Sequence, residues 1–294
     1  MTTKIIDTHQ HFWDLAKLDV PWLSPVEALN RNFLISDYVL ATNKPEDCDF
    51  DYQIEKTIYI EIDVAKSTIK KEVDVVVDLI RDPSNLICAM VAATRPGEAF
   101  FGEILDVAQS NPEIVGFRQV LHTDMTPKGF CLQPEFLEDI SHLSHCNKTF
   151  DICIRREELA DATAMARHCE NTQFVLDHCG NADTRISKSE MAKWQEDIEL
   201  ISELDNVVCK VSGFVWTIQN QSWSTQDTIH PILDHVLDCF GEDRLLFGGD
   251  WPVCTLSSIP FSKWLESLHQ FAIKHGPEFC DNLFSTKIMK KQKE

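Results

Sequence analysis

The chain has 294 residues, 44% hydrophobic and 25% charged, with a formal net charge of -20. This is the composition of a globular protein with enough apolar material for a large core. Its acidity argues against nucleic acid and anionic membranes as partners. No apolar run approaches the roughly 18 residues a bilayer span needs. Met1 to Lys4 carries no signal-peptide pattern, so a cytoplasmic protein is expected, as a monomer or small homo-oligomer. The 11 cysteines include no C-x-x-C pair. They sit in apolar stretches and read as small buried hydrophobes of a reducing compartment.

In chain order, short and nearly continuous apolar runs suggest strands at Lys4–Thr8, Thr57–Ile62, Leu86–Ala92, Ile114–Val120, Thr149–Ile154, Gln173–Asp177, Asn206–Val211 and Arg244–Gly248. Continuous rather than alternating hydrophobicity marks strands buried on both faces. After the first, they recur at intervals of roughly 25 to 35 residues, one strand plus one crossover helix. Helical periodicity fills the gaps. It is seen at Ile69, Val73, Val76, Val77 and Ile80, and again from Ile229 to Phe240, where Gly241 supplies a stop. Phe261, Trp264, Leu265, Leu268 and Phe271 repeat it near the end. Such units in one domain, residues 1 to 294 with a tail from 286 that frays, point to an α/β fold, a (β/α)8 TIM barrel. An open doubly wound sheet is the second choice, and no Gly-rich phosphate loop supports it. The first gap, Phe12 to about Lys56, exceeds one crossover and reads as an active-site wall.

In such barrels chemistry sits at the carboxyl ends of the strands. The first strand ends in Asp7-Thr8-His9-Gln10-His11, where residues two apart face the same way. Both imidazoles are therefore expected at the mouth, the alternative being two hydrogen-bonded structural histidines. The fourth strand brings Arg118, with His122 just beyond. The fifth carries Asp151 and ends near Arg155. The sixth ends at His178 before Gly180, and the seventh carries Lys210 and Ser212. At the eighth, Gly248 and Gly249 let the chain turn and present Asp250. His9, His11, His178 and Asp250 can hold one divalent ion or activate water. His142 and His145 read as one face of an amphipathic helix, and His168, His230, His235, His269 and His275 as outer-ring residues.

The runs Ile6 to Trp13, Gly116-Phe117-Arg118, Phe174 to Gly180, Cys209 to Gly213 and Leu246 to Cys254 resemble the amidohydrolase-related TIM-barrel hydrolases. Within them the sequence is most similar to sugar-acid lactonases, the L-fuconolactone and L-rhamnonolactone hydrolases, and more distantly to dicarboxylate pyrone lactonase. The resemblance runs from about Lys4 to about Leu268. It implies hydrolysis of a cyclic ester, with His9, His11, His178 and Asp250 as catalytic residues, or as ligands of one zinc ion where a metal is used. Arg118 would contact substrate. The wider superfamily has a metal-binding His at the fifth strand and a Lys or Glu at the fourth, and this chain has neither. A two-metal site is therefore not expected, and the cofactor is one divalent cation or none. The segment Asp281 to Lys287 departs from the family's usual ending. On this reading Asp250 takes a proton from water, while His122, Asp151 and an aromatic wall of Trp13, Trp22 and Trp251 hold the small-molecule sugar lactone, the equal alternative for the three tryptophans being core packing. A metal-dependent decarboxylase and a non-catalytic barrel are the rival readings.

Overall fold

A computed structural model of the chain describes residues 2–46, 48–218 and 225–285. Eight parallel strands follow one another around a single sheet: β1 (Thr3–Gln10), β2 (Tyr52–Ile60), β3 (Ile87–Ala93), β4 (Ile114–Val120), β5 (Thr149–Cys153), β6 (Phe174–Leu176), β7 (Val207–Val211) and β8 (Leu245–Phe247). The ring closes between β1 and β8 mostly beyond the ladder. Thr8 Oγ1 donates to Phe247 O at 2.6 Å, Asp250 N to His9 O at 2.8 Å, and His11 N to Trp251 O at 2.8 Å. This is the TIM barrel expected from the spacing, with its core made continuous by helices packed outside.

The helices used below are α1 (Ile35–Thr42), α2 (Ile69–Arg81), α3 (Phe100–Ser110), α4 (Pro134–His142), α5 (Leu159–His168), α6 (Lys188–Ser202), α7 (His230–Phe240), α8 (Phe261–His275) and α9 (Pro277–Phe284). Their boundaries follow local chemistry. Ser187 and Glu190 form a reciprocal capping box at the start of α6, which satisfies two otherwise orphaned backbone donors. Pro231 occupies the first turn of α7, where a missing N–H costs nothing, and the helix stops at Gly241. Helix α9 buries Phe279, Leu283 and Phe284 against the barrel end, and the expected tail from 286 lies outside the described residues.

Loop 1, between β1 and β2, is where sequence and structure diverge most. Strand β2 begins at Tyr52, earlier than the apolar run from Thr57 suggested, because its first half alternates buried and exposed. The loop holds a 3₁₀ turn at Pro21–Leu23 and helix α1, and Trp13 and Phe33 clip it shut with two backbone bonds of 2.8 and 3.0 Å. Trp13, Phe33, Tyr38 and Trp251 pack edge to face with centroids 5.2 to 5.5 Å apart. This aromatic block fixes loop 1 on the barrel top. All 11 cysteines are free thiols, most of them buried. Among the described residues no helix is long and apolar enough to cross a membrane.

Candidate active site

A cavity of about 520 Å³ opens at the carboxyl ends of the strands. His11, Arg118, His178 and Asp250 form its floor, and His9 lies fully buried beneath His11. His9 Nε2 is 3.1 Å from His11 Nε2, and Asp250 Oδ1 is 3.8 and 3.6 Å from the same two nitrogens. His178 stacks obliquely on His9 with centroids 4.5 Å apart.

Each group is placed by its strand end. Asp7 ties β1 to β8. Its carboxylate accepts from Gly249 N at 2.7 Å, His9 N at 3.0 Å and Tyr38 Oη at 2.9 Å. Burial nevertheless pushes its pKa up to about 6. At Gly249 a Cβ would lie 2.4 Å from Asp7 Oδ2, so only glycine lets this carboxylate reach the turn. Asp250 follows with φ +54°, left-handed backbone that turns its side chain over the floor.

His178 stands on a rarer feature. His178, Cys179, Gly180 and Asn181 all have φ between +51° and +66°, one turn of left-handed helix. Each non-glycine residue there costs about 1–2 kcal/mol. Fixed partners offset the cost. Trp194 Nε1 donates to Cys179 O at 2.9 Å, and Asn181 Nδ2 to Ile154 O at 2.6 Å. Gly213 lies so close that a Cβ would fall 2.2 Å from His178 Cγ. Ser212 Oγ pairs with His178 Nδ1 at 2.9 Å.

Under the floor lies a charge lattice that the sequence disclosed only in part. Arg118 donates from Nε to Glu61 Oε1 at 2.7 Å, from Nη2 to Glu61 O at 2.6 Å and from Nη1 to Asp177 Oδ2 at 3.2 Å. Its Nη1 also stands 3.5 Å from His9 Nε2. Lys210 Nζ pairs with Asp151, lies 3.2 Å from Asp177 Oδ1 and 3.4 Å from His9 Nδ1. Burial would raise Asp177, but the Lys210 ammonium and then His9 hold it well below the usual carboxylate range. Burial likewise dominates at His9 and His178, whose pKa values fall below the ordinary 6.5. Both rings are therefore neutral at pH 7.

Three of the expected substrate contacts lie elsewhere. Trp13 and Trp251 are fully buried in the block that holds loop 1 and do not line the cavity. Asp151 sits one pleat below the surface, occupied by Lys210, because Cys153 takes the inward position at the end of β5. Trp22, Arg118 and His122 do line the cavity, His122 at the exposed rim with Nδ1 3.5 Å from Cys153 Sγ. His142 and His145 are neighbours, with ring centroids 5.8 Å apart, in a different surface cleft. Trp216, Glu61 and Cys153 went unnoticed in the sequence. Glu61 had a signal, a carboxylate at the carboxyl end of a strand run, but its partner 57 positions away did not show.

Among the described residues two groups of side chains can hold a metal ion: His9, His11 and Asp250, and His9, Asp177 and His178. Donor edges around a tetrahedral zinc with ligands near 2.0–2.1 Å are about 3.4 Å. The edges of the first group, 3.1 to 3.8 Å, fit that geometry. His11 Nδ1 must donate to Ile60 O, at 2.8 Å, which leaves the Nε2 lone pair directed at His9 and free for a cation. The second group fits poorly, because Lys210 and Arg118 already neutralise Asp177.

Comparisons with known proteins identify the family. A family model described as amidohydrolase matches residues 6–278. An L-fucono-1,5-lactonase of Burkholderia multivorans is 27% identical over 262 residues, covering 86% of this chain and 83% of the relative. The crystal structure of a B. multivorans amidohydrolase with bound zinc superposes with a TM-score of 0.82 at 23% identity, covering 98% and 99% of the two chains. A probable 2-pyrone-4,6-dicarboxylic acid hydrolase of Acinetobacter baumannii, with citric acid bound, gives 0.73 at 14% identity and 99% coverage of each. At these identities the structures speak for the fold. The family match spans nearly the whole chain, and the chain belongs to the amidohydrolase family of hydrolytic enzymes.

Proposed function

We propose that this chain opens a sugar-acid lactone, L-fucono-1,5-lactone being the first candidate, by attack of an activated water on the ring ester carbonyl. One observation carries the reading. A single carboxylate, Asp250, meets the imidazoles of His9 and His11 and one guanidinium on the floor of a cavity large enough for the substrate. The name of the 27% identical relative supports the substrate class.

Water seated over the floor gives its proton to Asp250. A general base must lie within hydrogen-bond reach of that water, and Asp250, which faces His9 and His11, is, among the described residues of the floor, the acid with no arginine or lysine paired to it. Negative charge then grows on the carbonyl oxygen. The Nη hydrogens of Arg118 and the Nε2–H of His178, whose Nδ1 accepts from Ser212 Oγ, are the donors available to receive it. His178 is oriented by Ser212, and Arg118 by Glu61 and Asp177, so neither has to reorganise during the reaction. The tetrahedral intermediate collapses with loss of the ring alkoxide, which takes back the proton held by Asp250.

His9 accommodates the site with or without a cation. Lys210 can donate to His9 Nδ1, so that Nε2–H donates to His11; alternatively Nδ1–H donates to Asp177 and the Nε2 lone pair is free. In the second arrangement His9, His11 and Asp250 would hold one zinc ion, which supplies Lewis-acid polarisation of the carbonyl when bound.

A panel of aldonolactones followed with a pH indicator tests the reading, with elemental analysis and chelator treatment alongside. Acid release from at least one 1,5-lactone, and no more than one metal ion per chain, is expected. Silence across the panel with and without added zinc overturns the proposal.

A further inference from the structure

The walls of the cavity differ across the barrel. On one side Trp22, Val26 and Leu29 of loop 1 face Val253 and Leu256 from the loop after β8. Phe214 and Trp216, after β7, extend this apolar surface. Two of its rings are pinned: Trp22 Nε1 donates to Ile62 O at 2.8 Å, and the Arg185 guanidinium stands 4.5 Å over Trp216. The opposite side, from the loops after β4, β5 and β6, carries His122, Asn181, Arg155 and Arg156, with Arg185 at the border where it meets Trp216.

Those arginines are already engaged. Arg155 pairs with Glu158 at 2.6 Å and with the carbonyls of Leu121 and Thr126. Arg156 pairs with Glu157 at 2.7 Å, and Arg185 grips Asp183 through Nε and Nη2 at 2.9 and 2.7 Å. Arg118, on the floor, is held by Glu61 and Asp177. Each cavity-lining arginine thus has a carboxylate partner, so its charge is already balanced and none is left as an uncompensated counter-charge for an anionic substrate. The apolar side is also broader than one methyl group fills, since it draws on three separate loops.

We infer that the substrate is a neutral lactone whose ring bears an apolar substituent larger than a methyl group, seated against Trp22, Leu29, Val253 and Leu256. The carbonyl lies on Asp250 and His178, and the ring hydroxyls turn to the His122 and Asn181 side. This rests on the lactonase reading, but it ranks L-fucono-1,5-lactone, whose ring bears only a methyl group, below lactones with a longer apolar substituent. Burying a methylene contributes about 0.8 kcal/mol, roughly fourfold in affinity. A hydroxymethyl group on the same wall would leave a buried hydroxyl without a partner.

The test uses 1,5-lactones with hydroxymethyl, methyl and butyl at the ring carbon beside the ring oxygen, together with 2-pyrone-4,6-dicarboxylate. The non-hydrolysable lactams of the first three are titrated by calorimetry. Lactam affinity should rise at least tenfold from hydroxymethyl to butyl, and kcat/KM of the lactones should follow it. The pyrone dicarboxylate should be the poorest substrate. Leu256→Gln should shrink the butyl-to-hydroxymethyl ratio. If no lactone is turned over, the proposed reaction falls while the lactam ranking still decides the wall. Equal or reversed lactam ranking, or preference for the dicarboxylate, overturns the inference.

Discussion

The floor of the cavity and its upper wall are built on opposite principles. The floor comes from strand ends, is almost fully buried, and ties acidic and basic side chains to one another: Glu61 to Arg118, Arg118 to Asp177, Asp177 to Lys210, Lys210 to Asp151. A group in such a lattice moves only if its partners move, which suits a site that must hold donors where charge develops. The apolar wall comes from loops and is half-exposed in Trp22, Val26, Val253 and Leu256. It can change in sequence without disturbing the lattice. The difference teaches that chemistry and selection are separable here, and substitutions in the two regions should fail in different ways.

Asp250→Asn should have the largest effect on rate, about 10³-fold or more in kcat with KM and melting temperature little changed. Retention of most activity would move the base elsewhere. Arg118→Met should break the floor through stability as well as rate. It leaves Glu61 and Asp177 buried beside an apolar chain, at a cost of about 3 kcal/mol in denaturant unfolding. A fully stable Arg118→Met variant would show that the lattice is not what holds the floor. Trp22→Ala acts on the wall alone and should raise KM about tenfold with kcat nearly unchanged, as steady-state kinetics can check. A fall in kcat of the same size would mean that wall and floor are coupled.

The smallest effect on activity lies behind the floor and is read in the pH dependence of stability. Glu72 of α2 accepts from Tyr59 Oη at 2.9 Å and Ile62 N at 3.0 Å. Burial, then the charge of Glu61, pushes its pKa up to about 8. A raised carboxyl favours the protonated folded state, so its contribution is complete below the ordinary value of 4.5 and is lost as pH rises toward 8. Glu72→Gln removes that loss. The variant should therefore gain on the wild type between pH 5 and pH 8, by about 3 kcal/mol in denaturant unfolding. A constant difference across that range would show that Glu72 is ionised throughout.

The strands were legible because both faces are buried and each is a continuous apolar run; the expected and observed β4 coincide at Ile114–Val120. The amino-terminal half of β2 was not, because Gln53, Glu55 and Lys56 face solvent there. His9, His11, Arg118, His178 and Asp250 could be found from their places at strand ends. The lattice could not. Whether Asp151 meets substrate or Lys210 depends on the register between neighbouring strands and on Cys153 lying one pleat above it. Trp13 and Trp251 next to site residues suggested a sugar-stacking wall, but tryptophans beside a turn serve equally well to pack a long loop, and here they bury against Phe33 and Tyr38. The left-handed turn at His178 has only Gly180 and Asn181 as a local hint, since its other residues avoid that conformation.

Hydrolysis in ¹⁸O-labelled water tests the central claim most directly. Water attack at the carbonyl carbon, assisted by Asp250, places one labelled oxygen in the product carboxylate and none in the hydroxyl released from the ring. Label in that hydroxyl would mean that the ring carbon is attacked instead, and an unlabelled or absent acid product would contradict the account.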